Sequence, residues 1–387
     1  MQVVKSIHKI LLANCPSIHR ARLDALLTNV GALVRGHKLT VTALGRAAGR
    51  RTQPKHAIKQ SDRLIGNPPL APERLAIYPA ITRTLLASTP HPAILVDWSD
   101  YTHDRAYVLL RASVPVGGRA LTRYEEVHPS RAYGNTAVQR RFLDILQTIL
   151  PCDATPTLVT AAGFIGPWFA EIRARGWQFV GRIRKNLLYR DCANATCTRS
   201  EALYPTATRQ PRYHGPLALA RSRPVNCHLY LVRQAPQGRH QRTLAGRRAA
   251  RKYSNAHALR ETSPGLIVTS LDPTTDSPHH IIHRYKTRRQ IEQAFRDIKN
   301  TRAGFALREA RSRSPQRLAN LLLVGRLAIQ QGDHYQLQAN TVRNYQVLSA
   351  FFVACQLSLQ NRLPTQPTWF NDALTLVHHD IARQSGA

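Results

Sequence analysis

The chain has 387 residues, enough for two or three domains with a sizeable core, and carries 55 Lys and Arg against 22 Asp and Glu, a net charge of +33. A charge of that size repels itself unless it meets a polyanion, so the composition points to nucleic acid and away from a merely basic soluble protein. The basic residues run through the whole sequence rather than a tail, which implies an extended nucleic-acid surface. The six cysteines (Cys15, Cys152, Cys192, Cys197, Cys227 and Cys355) form no CxxC pair and have no matched histidine spacing. Cys192 and Cys197 could chelate a metal, but no second pair completes a site, so free thiols of a reducing cytosol are expected. No apolar run approaches the roughly 18 residues that span a bilayer, and the N-terminus lacks a signal-peptide pattern; an intracellular protein with no membrane partner is expected.

Residues 1–85 read as helical. Leu23, Leu26, Leu27, Val30, Leu33 and Val34 recur at helical spacing. A short helix is expected over 40–48, then a break at Gly49-Arg50-Arg51-Thr52, then a helix over 55–64. That second helix offers Lys55, Lys59 and Arg63, with Arg51 just before it. Helix, turn, basic helix is a DNA-binding arrangement by composition, although small helical domains without that role are common.

From Pro92 the pattern changes. Ala93-Ile94-Leu95-Val96 is a continuous apolar run ending in Asp97-Trp98-Ser99-Asp100, which predicts a strand buried on both faces. Alternating segments over 105–114 and 119–127, joined at Gly117-Gly118, complete a three-stranded meander. An amphipathic helix follows over 138–150, a buried strand over 155–160, a helix over 167–175 and a strand over 177–183. The stretch 186–263 is broken by Pro205, Pro211, Pro216, Pro224 and Pro236 and contains an Arg-dense segment over 239–252; it reads as an inserted β-rich subdomain whose Arg-dense part is a loop touching DNA backbone or a solvated charge run. Residues 265–270 resume the sheet. One long helix is expected over 278–300, with further helices over 315–330 and 342–360. There is no internal repeat.

The long helix carries the chemistry. On a helix turning roughly 100° per residue, Tyr285, Arg288, Glu292 and Lys299 fall within about 60° of one another. Ile291, Ala294, Phe295 and Ile298 form the neighbouring apolar stripe. A carboxylate is thereby held at the edge of a packed face with two cations and a phenol, a row that suits a phosphodiester with a divalent ion. Each residue has a plainer reading: Arg288 and Glu292 as an ordinary i,i+4 pair, Asp97 as a strand-end turn cap, Trp98 as packing rather than base stacking. Meander, helix, strand, helix, strand, insertion and carboxylate-bearing helix together describe a ribonuclease-H-like core in an α/β fold, flanked by N-terminal and C-terminal helical regions. In such sheets functional groups gather at strand ends, here Asp97 and the end of the fourth strand at Thr160-Ala161. Two-metal phosphoryl transfer needs carboxylates at such points, holding two ions about 4 Å apart. The fourth strand should therefore end in a carboxylate, yet it ends at Ala161; Asp153 stands at the wrong end of that strand.

The chain resembles the cut-and-paste bacterial DDE transposases of the insertion-sequence-four family over nearly its whole length. The resemblance rests on Leu95-Val96-Asp97-Trp98-Ser99-Asp100, Arg111-Ala112-Ser113-Val114, Thr160-Ala161-Ala162-Gly163-Phe164, the Tyr285, Arg288, Glu292, Lys299 signature at every spacing, Ala339-Asn340-Thr341-Val342-Arg343-Asn344, and Asp62-Arg63-Leu64-Ile65-Gly66-Asn67. It implies that Asp97 and Glu292 are metal ligands for Mg²⁺, with Mn²⁺ able to substitute, and that Tyr285, Arg288 and Lys299 contact phosphates and assist a hairpin intermediate. Position 161 should be the second catalytic Asp, so impaired cleavage is expected; an engineered substitution or a naturally decayed copy would each leave an alanine there. The resemblance further implies terminal inverted repeats and target DNA as double-stranded partners, a homodimer in the synaptic complex, host DNA-bending proteins as possible helpers, and a cytoplasmic place at the bacterial nucleoid. The expected division is a DNA-binding domain over 1–85, a catalytic core over 90–330 and a C-terminal dimerisation and DNA-contact region over 331–387. A non-catalytic end-binding repressor and a general ribonuclease-H-type nuclease are the competing readings; the second would lack the Tyr285, Arg288, Lys299 row.

Overall fold

Local sequence accounts for most of the elements. In the computed structural model the described residues are 2–49, 53–100, 102, 104–116, 118–184, 187–191, 196–220, 223–233, 264–301, 304–338 and 368–385. Arg51, Cys192, Cys355, the Arg-dense segment 239–252, the 339–344 block and the helix expected over 342–360 lie outside them. The chain divides into two compact units, one formed by residues 1–156 and 287–387, the other by 157–286.

The first unit opens with five helices: α1 (Gln2–Asn14), α2 (Arg20–Gly36), α3 (Val41–Ala47), α4 (Pro54–Ile65) and α5 (Leu70–Leu86). Helix α3 starts where the Thr40 hydroxyl accepts the Ala43 N–H, a side-chain cap for an otherwise orphaned donor. Helix α4 starts with Pro54 in its first turn, where a missing N–H costs nothing. The strands β1 (Ala93–Asp100), β2 (Tyr107–Val116) and β3 (Arg119–Pro129) form the expected antiparallel meander. A register shift after Ala112 leaves Arg123 as an extra residue in β3, a bulge. Helix α6 (Thr136–Ile149) follows, capped by the Asn135 side chain.

The second unit holds β4 (Thr157–Thr160), α7 (Gly166–Ala174), β5 (Gln178–Ile183), β6 (Leu188–Asp191), β7 (Cys197–Arg199), β8 (Arg212–Leu219), β9 (Val225–Val232), β10 (Gly265–Thr269) and α8 (Pro278–Thr287). β4 and β5 run parallel, and the remaining pairs are antiparallel, in the order β4-β5-β10-β9-β8-β6-β7. The described part of the proline-rich stretch is therefore β-rich, as its β-like pieces suggested. The chain order meander, helix, strand, helix, strand is the order expected of a ribonuclease-H-like core.

Beyond it, the first unit resumes with α9 (Arg289–Lys299), α10 (Pro315–Gln338) and α11 (Thr368–Ser385). The single helix expected over 278–300 is two, separated at Arg288, which keeps right-handed helical angles (φ −50°, ψ −29°). No proline or glycine stands there. The ladder tightens instead to a three-residue step, Ile291 N–H to the Arg288 carbonyl at 3.2 Å, at the residue whose side chain is drawn to two carboxylates.

Helix α10 is the spine of the first unit. Leu318, Leu321, Leu322, Leu323, Val324, Leu327 and Ala328 are buried, an apolar surface on every side that meets α2, α4, α5, β3 and α11. Two of its polar residues, Asn320 and Arg326, are also buried; Asn320 donates to the Ile65 carbonyl at 2.9 Å and accepts from Arg74 at 2.6 Å. Asp62 of α4 is held by Arg317. The basic helix α4 is thus fixed by its C-terminal end to the same helix that backs the strands.

Helices α3 and α4 cross closely at Gly45. A Cβ there would lie 2.3 Å from the Ile58 Cα and 2.6 Å from its backbone nitrogen, distances that only a backbone shift relieves. Gly45→Ala should therefore lower stability by about 1–3 kcal/mol through overpacking, although alanine is the better helix former. Thermal unfolding checks this: an unchanged or higher Tm in Gly45→Ala would refute the close crossing.

Candidate active site

Strand β1 and helix α9 bring the charged groups together. β1 is buried along its apolar half and emerges at Asp97. Alternation puts Asp97 and Ser99 on one face of the strand and Trp98 on the other. Helix α9 lays Ile291, Ala294, Phe295 and Ile298 against the meander, and all four are buried. Burying Ile291, Phe295 and Ile298 contributes about 1.5–3 kcal/mol each, which fixes the helix and turns its polar row toward β1.

Arg288 stands at the centre. Its Nη1 donates to Asp97 Oδ2 at 3.2 Å and to Glu292 Oε1 at 2.6 Å. The other Asp97 oxygen accepts the Trp98 N–H at 2.9 Å. Lys299 Nζ donates to Ser99 Oγ at 2.5 Å. Arg111 and Glu125, the cross-strand partners of Asp97 and of Arg111 respectively, form a fully buried ion pair at 2.5 Å. The Arg111 guanidinium lies 5.0 Å from the centre of the Phe295 ring, and the Lys299 ammonium 5.7 Å from it, so two cations flank one aromatic ring. Arg119 at the start of β3 pairs with Asp297 at 3.0 Å, a second tie between α9 and the meander.

The environment perturbs three of these groups. Burial raises the Asp97 carboxyl to about 6, with Arg288 pulling it down and Glu292 pushing it further up. Burial also raises Asp297 to about 6 against the pull of Arg119. Lys299 is lowered to about 8, first by burial and then by Arg308, with Arg111 adding to this and Asp100 and Asp97 opposing it. Such shifts collect where charge is held out of water for use.

The donor set suits a hard divalent cation. Two carboxylate oxygens, one from a strand and one from a helix, converge on a single positive group, and oxygen ligands of this kind suit a magnesium-type ion that keeps part of its water. Among the described residues no cluster of three or more acidic, histidine or cysteine side chains is placed to hold a metal ion.

Of the residues singled out in the sequence, Asp97, Arg288, Glu292 and Lys299 meet in the first unit. Ala161 follows directly on the carboxyl end of β4, in a turn where its carbonyl accepts the Phe164 N–H, and it belongs with Tyr285 to the second unit. Lys55, Lys59 and Arg63 are exposed along one side of α4, opposite its buried Ala57, Ser61, Leu64 and Ile65. Ser99 and Arg111 stand in the quoted motifs without an expected role, and Glu125 and Asp297 stand outside the expected site. Strand alternation from Asp97 would have found Ser99; the buried Arg111–Glu125 pair has no such signal, since nothing in a single strand says which charged residue turns inward.

Residues 95–329 match the family described as a transposase DDE domain. Among solved structures, the chain is similar to a piggyBac transposase synaptic complex with hairpin DNA, at 10% identity and a TM-score of 0.40, covering 99% of this chain and 79% of that one; a likeness that distant carries no functional weight. No curated protein sequence matches the chain.

The Asp97 shift has a measurable consequence. Below the ordinary carboxyl range both folded and unfolded chains hold the proton. Between about pH 4 and 6 the unfolded chain has released it and the folded one keeps it, so this group lowers stability as pH rises, and the penalty is constant above 6. Asp97→Asn should remove that slope, and its Tm relative to the unaltered chain should rise between pH 4 and pH 7. A difference in Tm that stays constant over that range would show that Asp97 is not perturbed.

Proposed function

Because the chain belongs to the transposase DDE-domain family, we propose that it is a DNA transposase of the cut-and-paste kind, in the insertion-sequence-four group and nearest the transposase of the composite transposon Tn-ten. The reading rests on one observation above the others: Asp97 on β1 and Glu292 on α9 converge on a single cation inside the stretch that matches the family. Asp97 and Glu292 would hold Mg²⁺, or Mn²⁺ in its place, at a two-metal site, and the ions would supply an activated water and neutralise charge on the leaving oxygen.

The chain's own residues do the rest. Arg288 grips a phosphate by two oxygens through its planar fork, and Lys299 acts as a point charge beside it. In the DNA-free chain the Lys299 ammonium is lowered to about 8, and an adjacent phosphate would favour its charged form. Tyr285 makes a further phosphate contact. Lys55, Lys59 and Arg63, with Arg51 beside them, form a basic stripe that tracks the backbone of the transposon end. In this reading the reaction is nicking at each end, hairpin formation, hairpin resolution and strand transfer into target DNA, carried out by a homodimer that the C-terminal region helps to build, at the nucleoid in the bacterial cytoplasm. In this reading a DNA-binding domain covers 1–85, a catalytic core with an insertion over about 186–263 covers 90–330, and a dimerisation and DNA-contact region covers 331–387. Among the described residues no helix is long and apolar enough to cross a membrane.

Position 161 decides between an active enzyme and an end-binding repressor. With alanine where the second acid belongs, one ligand and one negative charge are missing, and cleavage is impaired while DNA binding persists. Cleavage of a labelled transposon-end duplex by this chain should therefore be far slower than by Ala161→Asp, with equal binding. Equal cleavage by the two would overturn the assignment of position 161; binding without cleavage by either would favour the repressor. Replacing Lys59 or Arg63 by alanine should weaken binding uniformly across sequences and lower the salt dependence by about one unit of slope each. A salt slope unchanged in both variants would remove α4 from the DNA surface.

A further inference from the structure

One atom of Arg288 serves both acids. Its Nη1 lies 3.2 Å from Asp97 Oδ2 and 2.6 Å from Glu292 Oε1. A divalent ion shared by those oxygens sits about 2.0–2.6 Å from each, which is the space this nitrogen fills. Guanidinium and ion are therefore mutually exclusive between the two carboxylates. Lys299, the other cation of the row, is bonded to Ser99 and not to either acid, so the exclusion belongs to Arg288 alone in this row. The two acids also need a cation between them: both are ionised only if something offsets their repulsion in a half-buried setting.

We propose that Arg288 is a placeholder cation, which holds Asp97 and Glu292 converged and yields them to a divalent ion when its guanidinium moves to a phosphodiester. The exchange is chemically even-handed. The guanidinium leaves two carboxylate oxygens on different residues for two oxygens of one phosphate, the bidentate geometry that its fork prefers. The carboxylates trade one positive charge for two. By linkage, whatever draws Arg288 away tightens metal binding, and metal tightens phosphate binding by the same factor. The chain would thus assemble its metal site on DNA and keep it shut elsewhere. This inference rests on Asp97 and Glu292 being the ligands, as proposed above.

Mn²⁺ binding, followed by the paramagnetic resonance signal of the free ion, tests it without any turnover. The chain, Arg288→Ala, Asp97→Asn and Arg289→Ala would be compared, the last as a charge-matched change at an exposed neighbour. Each is titrated alone and with a short DNA duplex, after subtracting the ion bound by duplex itself, and circular dichroism checks folding; Arg288→Gln replaces the alanine variant if that one unfolds. Without DNA, Arg288→Ala should bind Mn²⁺ about tenfold tighter than the unaltered chain, a coupling of ordinary size, while Arg289→Ala shifts it by less than about twofold. Duplex should tighten Mn²⁺ binding in the unaltered chain and have little further effect in Arg288→Ala. Equal shifts in the two arginine variants would reduce the effect to net charge and overturn the placeholder. Binding that is lost in Asp97→Asn but unmoved in Arg288→Ala would overturn the placeholder and leave the ligands standing. Binding unaffected by Asp97→Asn, or absent from every variant, would overturn the ligand assignment and the placeholder with it.

Discussion

The Arg111 guanidinium beneath the Phe295 ring, held by the buried carboxylate of Glu125, is the contact on which the site geometry depends. A buried ion pair is a poor source of net stability, but removing one partner costs about 3–5 kcal/mol because the other charge is left stranded. The pair therefore ties β2 to β3 in register, and its guanidinium gives helix α9 a flat, charged seat that a leucine would not. Ile291, Ala294 and Ile298 close the rest of that interface. If the seat shifts, Glu292 moves relative to Asp97, because one rides on the helix and the other on the strand. The Arg119–Asp297 pair at the far end of the helix limits rotation about that seat.

The surroundings of the two acids follow from the same arrangement. A chain with a net charge of +33 has cations to spare, and the site uses them locally. Arg288 compensates Asp97 and Glu292 directly, while burial, then Arg308 and Arg111, lower the Lys299 ammonium to about 8. Acidic groups held apart from water among cations favour an incoming dication over a monovalent charge, and the surrounding cations favour phosphate. The two preferences are compatible only because they act on different atoms a few ångströms apart, which is what the proposed metal-assisted attack on DNA would require.

In the proposed reading, contact with DNA outside the site would draw on the same scaffold. The stripe of Lys55, Lys59 and Arg63 projects from a helix whose C-terminal end is tied to α10 through Asp62–Arg317 and Ile65–Asn320. Helix α10 in turn packs on β3 and on α11, and the Ser385 hydroxyl at the end of α11 accepts the Ala93 N–H at the start of β1. A rigid path of hydrogen bonds and packed leucines thus joins the basic surface to the strand that carries Asp97, all within one compact unit. Binding energy gained along the stripe can hold a scissile phosphate in place without new structure at the site.

Periodicity made part of this legible. A spacing of three, four and seven residues puts Arg288, Glu292 and Lys299 on one helix face whatever the fold, and an apolar run ending in Asp97 places an acid at a strand end; both are local consequences of helix and strand geometry. The meander and the helices of the first 85 residues were readable for the same reason, while the transposase family came from the resemblance of its motifs. Other features depended on neighbours that no short window contains. Strand alternation leaves Arg111 and Glu125 looking like surface residues, and only the helix laid over them makes the pair buried and the Phe295 contact possible. The division of the long helix at Arg288 has no proline or glycine to announce it, because it accompanies a side chain reaching two carboxylates, one of them 191 residues away. Local geometry determined which residues could act; the packing of α9 on the meander decided how close they come, since distance between a strand and a helix is set by the side chains between them.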